Sequence, residues 1–389
     1  MTVFALISLL AALVTYGGSV TVWKLAHKYA LYPGIRERDV HTRPTPRLGG
    51  IAMFLGFLVA ISAAWAASAT FSQLGIVFRN PAEILSILAA AFLIVLIGVA
   101  DDIWDLDWLT KLAGQFLAAG LIAWQGVQIL SLPIGGITVG SSWMSVTLTV
   151  FAIVLVMNAV NFIDGLDGLV AGITLIANGV FFLYTYLLVQ KTSPSNYFNL
   201  ASLLAAILIG MCLGFLPLNW HPAKLFMGDA GALLIGMLMA TSAIAVTGQM
   251  DPASLDLGDL FPAFIPIVLP FAVLLVPIVD FTLAVMRRLR AGKSPFSADR
   301  EHLHHRLLDM GHSHLGAVLI FYAWTATASV SFALTFVFPA FFGLPAIWAG
   351  AVFIAGFIAC TVATVLPLTR SKRAETEAEE HGGGELGSA

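Results

Sequence analysis

Apolar residues run along this chain in long stretches broken by short polar intervals, with neither the alternation of a strand nor the one-sided stripe of a soluble helix. A helix needs roughly 20 mostly apolar residues to cross a bilayer. On that ruler the pattern predicts about eleven spans, near 3–23, 48–69, 83–100, 109–126, 143–163, 168–190, 198–218, 230–247, 262–286, 316–338 and 342–367. The fourth is the weakest, because Lys111 and Gln115 interrupt it. No Lys or Arg precedes the first span and no small-residue cleavage pattern follows it, so it reads as a retained helix rather than a signal peptide. The expected fold is all-α, a polytopic integral membrane protein.

Composition strengthens this picture. Of 389 residues 59% are hydrophobic and only 11% charged, where a soluble domain carries about 25% charged residues. A net charge of −3 leaves no broad basic face for nucleic acid. Cys212 and Cys360 both sit inside apolar runs, so no disulfide framework is implied. With alternating spans, 17 of the 19 Lys and Arg residues and all nine histidines fall on one side, leaving Arg79 and Lys191 for the other. The positive-inside rule makes that side cytoplasmic, with the N-terminus outside and the C-terminus inside. Residues 1–368 read as one transmembrane domain, and 369–389 as a disordered, polar cytoplasmic tail. The GxxxG spacings Gly168–Gly172 and Gly210–Gly214 read as close helix packing.

The chemistry-bearing residues gather on the basic side. Asp101 and Asp102 close an apolar run, with Asp105 and Asp107 after them. One aspartate there would read as a helix cap; four together point to a site. Adjacent carboxylates raise each other's proton affinity unless a cation neutralises them, and Mg²⁺ with its oxygen ligands and phosphate partners suits that need. Asn161, Asp164 and Asp167 have i, i+3, i+6 spacing, which predicts one polar stripe along a helix, while Gly165 and Gly168 admit a ligand to the backbone. Asp229 opens the eighth span, where it is either the helix cap or a functional carboxylate. Asn219, His221, Lys224 and Phe226 upstream offer polar groups and an aromatic face for a base or sugar. His302, His304 and His305 follow a basic stretch, which favours phosphate contacts over zinc. Arg36, Arg38, Arg43 and Arg47 are further candidates for an anion, although the positive-inside rule alone would also place them. Carboxylates for a metal, cations for phosphate and an apolar wall suit phosphoryl transfer between a lipid phosphate and a water-soluble substrate. No Walker A loop or kinase signature is present.

Six motifs in order then carry a resemblance: Thr45-Pro46-Arg47-Leu48-Gly49-Gly50, Asp101-Asp102-x-x-Asp105, Lys111-Leu112-x-x-Gln115, Asn161 to Leu169, Leu225 to Gly231, and His302-Leu303-His304-His305. Together they resemble the polyprenyl-phosphate N-acetylhexosamine-1-phosphate transferases. That resemblance implies transfer of a sugar-1-phosphate from a UDP-activated amino sugar to undecaprenyl or decaprenyl phosphate, releasing UMP. It also implies Mg²⁺, with Mn²⁺ a candidate substitute, a plasma-membrane location, and a homodimer as a further expectation. By motif, Asp229 corresponds to the metal ligand and Asp101 to the base or nucleophile, also near the metal, with Asp102 in support. Lys111 corresponds to the lipid-phosphate contact, Gly165, Leu166 and Asp167 to a uridine contact beside Asp164, Phe226 to a uracil stack, Asn219 to a nearby polar contact, and the three histidines to a diphosphate or sugar grip. Leu303 breaks the run of consecutive histidines usual in the MraY branch, which handles muramyl pentapeptide. The WecA/TagO branch, with UDP-N-acetylglucosamine as donor, is the better match. An ion-coupled transporter is the contrasting class, for which Asp280 within the ninth span is the one fitting residue.

Overall fold

A computed structural model of the protein describes residues 1–32, 45–71, 74–130, 141–192, 199–247, 286, 289–290, 292 and 307–366. The long elements among them are all helices: α1 (Thr2–Lys28), α2 (Gly49–Ala67), α3 (Pro81–Trp104), α4 (Trp108–Trp124), α5 (Ser142–Ile163), α6 (Leu169–Thr192), α7 (Leu200–Asn219), α8 (Gly228–Thr247), α9 (His314–Val337) and α10 (Ile347–Val365). Each coincides with one expected span. The ninth expected span, apart from Met286, and the C-terminal tail lie outside the described residues, as does Asp280. Among the described residues nine helices are long and apolar enough to cross a membrane. At 17 residues α4 is shorter, about 26 Å against a hydrocarbon core of about 30 Å.

The turn from α3 to α4 shows how sequence sets these boundaries. Asp105 adopts a left-handed φ of +54° and its N–H bonds the Asp101 carbonyl at 2.9 Å, which closes α3. Asp107 then accepts from the Thr110 N–H at 2.9 Å and the Thr110 hydroxyl at 2.6 Å, which opens α4. The Thr110 hydroxyl and then its N–H hold the Asp107 carboxyl below its ordinary range. Two of the four acids between 101 and 107 therefore do turn chemistry, and the other two remain on the last turn of α3.

In lipid there is little hydrophobic drive between helices, so small residues and polar contacts must hold the bundle. Helix α8 lies at its centre against α2, α3, α5 and α7, while α1 packs on α2 and α7 and α6 on α7 and α9. Gly210 and Gly214 bring α7 onto the Ser8 and Ala12 carbonyls of α1, as their spacing predicts. Gly50 and Gly98 do the same for α2 and α3 against Ala230 at the start of α8. The Asn158 amide of α5 donates to Gln115 of α4 at 2.5 Å, so the residue that weakened the fourth span is bonded inside the bundle. Helix α10 leans on α9, where the Trp324 indole donates to Thr364 at 3.1 Å, and exposes Ile347, Ile354, Phe357 and Ile358 as a lipid-facing helix does.

This packing gathers the first residues of α2, α4, α6 and α8 with the last residues of α3, α5 and α7 at one polar end. Substituting Gly98 by Ala should therefore push α3 off the α8 backbone and cost stability on the scale of an overpacked core, about 1–3 kcal/mol. Gly120→Ala, where an added methyl meets nothing within 4 Å, should not. Thermal unfolding of both variants in detergent checks the difference.

Candidate active site

The site is organised by the N-terminus of α8. The Asp102 carboxylate, from the last turn of α3, accepts from the Asp229 N–H at 3.1 Å and from the Ala230 N–H at 3.5 Å. These are backbone donors that a helix start leaves unpaired, and a carboxylate also meets the favourable end of the helix dipole. Gly228 enters with φ +66°, and any side chain there would collide with the Asp102 carboxylate and the Arg47 carbonyl. The approach is pinned by main-chain bonds to the Thr45–Gly50 motif: Phe226 N–H to Pro46 carbonyl, Gly49 N–H to Phe226 carbonyl and Gly50 N–H to Met227 carbonyl, each 2.9 Å.

Because Asp102 closes the helix, the Asp229 side chain is not its cap. One Asp229 oxygen accepts from the Asn161 amide at 2.9 Å, and the other pairs with the Lys111 ammonium. Lys111 also reaches Asp101 at 3.1 Å. Four helices thus converge: α3 brings Asp101 and Asp102, α4 brings Lys111, α5 brings Asn161 and α8 brings Asp229. Asp101 and Asp229 share the one Lys111 ammonium and so keep net negative charge between them, while Asp102 is spent on the helix start. Asp101 and Asp229 both face the ammonium, so two oxygen donors address a common point. A few carboxylate oxygens with no nitrogen or sulfur ligand are what Mg²⁺ takes from a protein, and Asp101 and Asp229 fit it.

The expected polar stripe through Asn161, Asp164 and Asp167 is not what forms. Helix α5 ends at Ile163, Asp164 takes the cap position, and Gly165 turns back with its N–H on the Ile163 carbonyl at 2.7 Å. Asn161 therefore faces Asp229, whereas Asp167 faces His221, whose Nδ1 lies 2.7 Å from its Oδ2, and accepts the Ala223 N–H at 3.1 Å. Gly165 is half-buried, so its backbone remains open to a ligand, but the Leu166 side chain belongs to the apolar core. Gly168 is held on both sides: its N–H donates to Asn219 Oδ1 at 3.1 Å, and its carbonyl accepts from the Tyr322 hydroxyl at 2.5 Å. The Asn219 amide also donates to the Leu225 carbonyl at 3.1 Å, so this residue braces two loops against each other. Phe226 is half-buried on the strap that Pro46 and Gly49 hold.

His302, His304, His305 and Arg43 lie outside the described residues. Sequence reasoning overlooked Tyr322, whose only signal is a tyrosine in an otherwise apolar span. It noted His221 but not its pairing with Asp167, and it missed His314, whose ring stacks on His221.

With that geometry in hand, comparison with known proteins is decisive. A model described as glycosyl transferase family 4 matches residues 84–247, the stretch that holds Asp101, Asp102, Lys111, Asn161 and Asp229. A decaprenyl-phosphate N-acetylglucosaminephosphotransferase of Mycobacterium leprae is 40% identical, covering 95% of this chain and 91% of its own. The chain belongs to the polyprenyl-phosphate N-acetylglucosamine-1-phosphate transferases of glycosyl transferase family 4. A probable undecaprenyl-phosphate N-acetylglucosaminyl 1-phosphate transferase of Bacillus subtilis is 33% identical over 82% of this chain and 80% of its own. A phospho-N-acetylmuramoyl-pentapeptide-transferase of Halalkalibacterium halodurans aligns over only 56% of this chain and 65% of its own, at 32% identity. Membership of this family removes the transporter reading and favours the N-acetylglucosamine branch.

For this transferase, Asp102→Ala should destabilise the fold through α8, by about 1–2 kcal/mol for a lost helix cap, and Asp102→Asn, which keeps an acceptor, by less. The shift in thermal unfolding midpoint in detergent reads both.

Proposed function

We propose that the protein transfers N-acetylglucosamine-1-phosphate from UDP-N-acetylglucosamine to undecaprenyl or decaprenyl phosphate, releasing UMP. The product is the lipid-linked diphosphate sugar on which a cell-envelope polysaccharide is begun. The observation that carries this is the meeting of Asp101, Lys111, Asn161 and Asp229 at the polar end of the bundle, in a chain 40% identical to a transferase of that name. The distribution of Lys and Arg supports a cytoplasmic position for this end, in a plasma-membrane protein of about eleven spans with its N-terminus outside.

In this reading an oxygen of the acceptor phosphate attacks the β-phosphorus of the nucleotide sugar. The bond from that phosphorus to the oxygen bridging the two phosphates breaks, and UMP departs with the bridging oxygen. Asp229 and Asp101 hold Mg²⁺, which when bound neutralises charge on the diphosphate. Lys111 serves the acceptor phosphate as a point charge. A phosphate monoester has its second pKa near 6, so at neutral pH the acceptor arrives mostly as a dianion. Asp101 takes up a proton from the remaining monoanion, and charge balance is the heavier demand on the site. The Asn161 amide keeps Asp229 oriented. Gly165 and Phe226 face the uridine, and His302, His304 and His305 grip the diphosphate or sugar.

The test is transfer of label into organic solvent by detergent-purified protein supplied with undecaprenyl phosphate and Mg²⁺. Radiolabelled UDP-N-acetylglucosamine goes in one reaction and UDP-muramyl pentapeptide in another. EDTA-sensitive transfer from the first alone is the expected result. Transfer from the second alone overturns the donor, and transfer that EDTA leaves intact overturns the metal.

A further inference from the structure

A second cluster of ligating side chains stands apart in chemistry from the carboxylate–lysine centre. Asp167 comes from the loop between α5 and α6, His221 from the residues after α7, and His314 from the first turn of α9. One ligand atom from each lies within 4.8 Å of the others. The closest pair, Asp167 Oδ2 and His221 Nδ1, is 2.7 Å apart, and the His221 and His314 rings stack with centroids 4.3 Å apart and 18° between their planes. The centre at Asp101 and Asp229 offers oxygens alone; this one offers two imidazoles and one carboxylate.

We propose that Asp167, His221 and His314 bind a borderline divalent cation of the zinc class, at a site separate from that for Mg²⁺. Imidazole nitrogen at about 2.0–2.1 Å and carboxylate oxygen at about 2.0–2.2 Å are zinc's ordinary ligands, and a tetrahedral shell of such bonds sets neighbouring ligand atoms about 3.3 Å apart. The Asp167–His221 separation needs to open by about half an ångström to reach that spacing, and the His314 ring must turn out of its stack on His221 so that the in-plane lone pairs of both imidazoles meet the ion. Three protein ligands leave a fourth position, and His221, with 44% of its side chain exposed, puts that position at the solvent-facing edge. Asp167, by contrast, is 3% exposed, and its carboxylate is already aimed by the Ala223 N–H at 3.1 Å, the kind of outer contact that orients a metal ligand. The Ser313 hydroxyl accepts the Gly316 N–H at 3.1 Å and fixes the turn from which His314 projects. An ion here ties three elements distant in sequence at one point, and adds to the hydrogen bonds that Asn219 and Tyr322 make to Gly168 and Ala223 makes to Asp167.

The full chain, purified in detergent without a histidine tag and dialysed against chelator, is titrated with Co²⁺ as a visible probe of zinc-class sites. The expected result is one equivalent bound with the absorption bands of a nitrogen–oxygen site, displaced by Zn²⁺ and not by excess Mg²⁺. His221→Ala and His314→Ala should each weaken binding by at least about tenfold. Should an alanine variant fail to fold, His221→Gln and His314→Phe, which retain a hydrogen-bonding amide and the ring stack respectively, carry the same comparison. No binding by the native chain, displacement by Mg²⁺, or undiminished binding in the folded variants overturns the proposal.

Discussion

The whole polar end hangs on one helix terminus being closed by a residue from another helix. Asp102 takes the first N–H groups of α8, and that single arrangement frees Asp229 to turn its carboxylate towards Lys111 and Asn161. It also fixes the distance between α3 and α8, so Asp101 one residue earlier meets the same ammonium. The glycines at 50, 98 and 228 follow from this demand, since each lies where a side chain would keep two backbones apart. A helix start supplies positive potential without a side chain, and here it offsets one of three crowded carboxylates.

The bilayer explains why the chemistry is at an end rather than in the middle. Ionisable groups within the hydrocarbon are costly, and an acceptor with a lipid tail and a phosphate head presents its reactive atom at the membrane surface. Helices that alternate in direction bring the ends of α3, α5 and α7 to the starts of α4, α6 and α8. Three short turns can then deliver carboxylates, an ammonium and an amide to one place. Asn219 and Tyr322 hold the second of these turns by its Gly168 backbone, and Asp167 anchors it to the chain after α7 through the Ala223 N–H.

Much of this was legible in the sequence because lipid leaves so few alternatives. Ten expected spans coincide with helices, and α3 differs mainly in running on to Trp104, which places Asp101 and Asp102 on its last turn. Asp101, Asp102, Asn161 and Asp229 were named from their types and their common side, and Lys111 through the resemblance alone. What the sequence did not disclose was tertiary. A local reading of Gly228-Asp229-Ala230 makes Asp229 the cap candidate, because nothing nearby signals that a residue 127 positions earlier fills that role. Spacing predicted a stripe through Asp164 and Asp167, but Gly165 lets the chain leave the helix, and Asp167 turns to His221 instead. Asp107 looked like a member of the site and caps α4 with its carboxylate, and the Asp105 main chain closes α3.

The account assigns stability to Asp102 and chemistry to Asp229, and one variant separates the two. Asp229→Asn removes the charge from the centre while leaving the helix start and its Asp102 cap in place. Turnover of UDP-N-acetylglucosamine at saturating Mg²⁺ should fall by about a thousandfold, the scale of losing one charge-stabilising group, with the thermal unfolding midpoint in detergent unchanged. Turnover near the native rate, with the same dependence on Mg²⁺, would contradict the account.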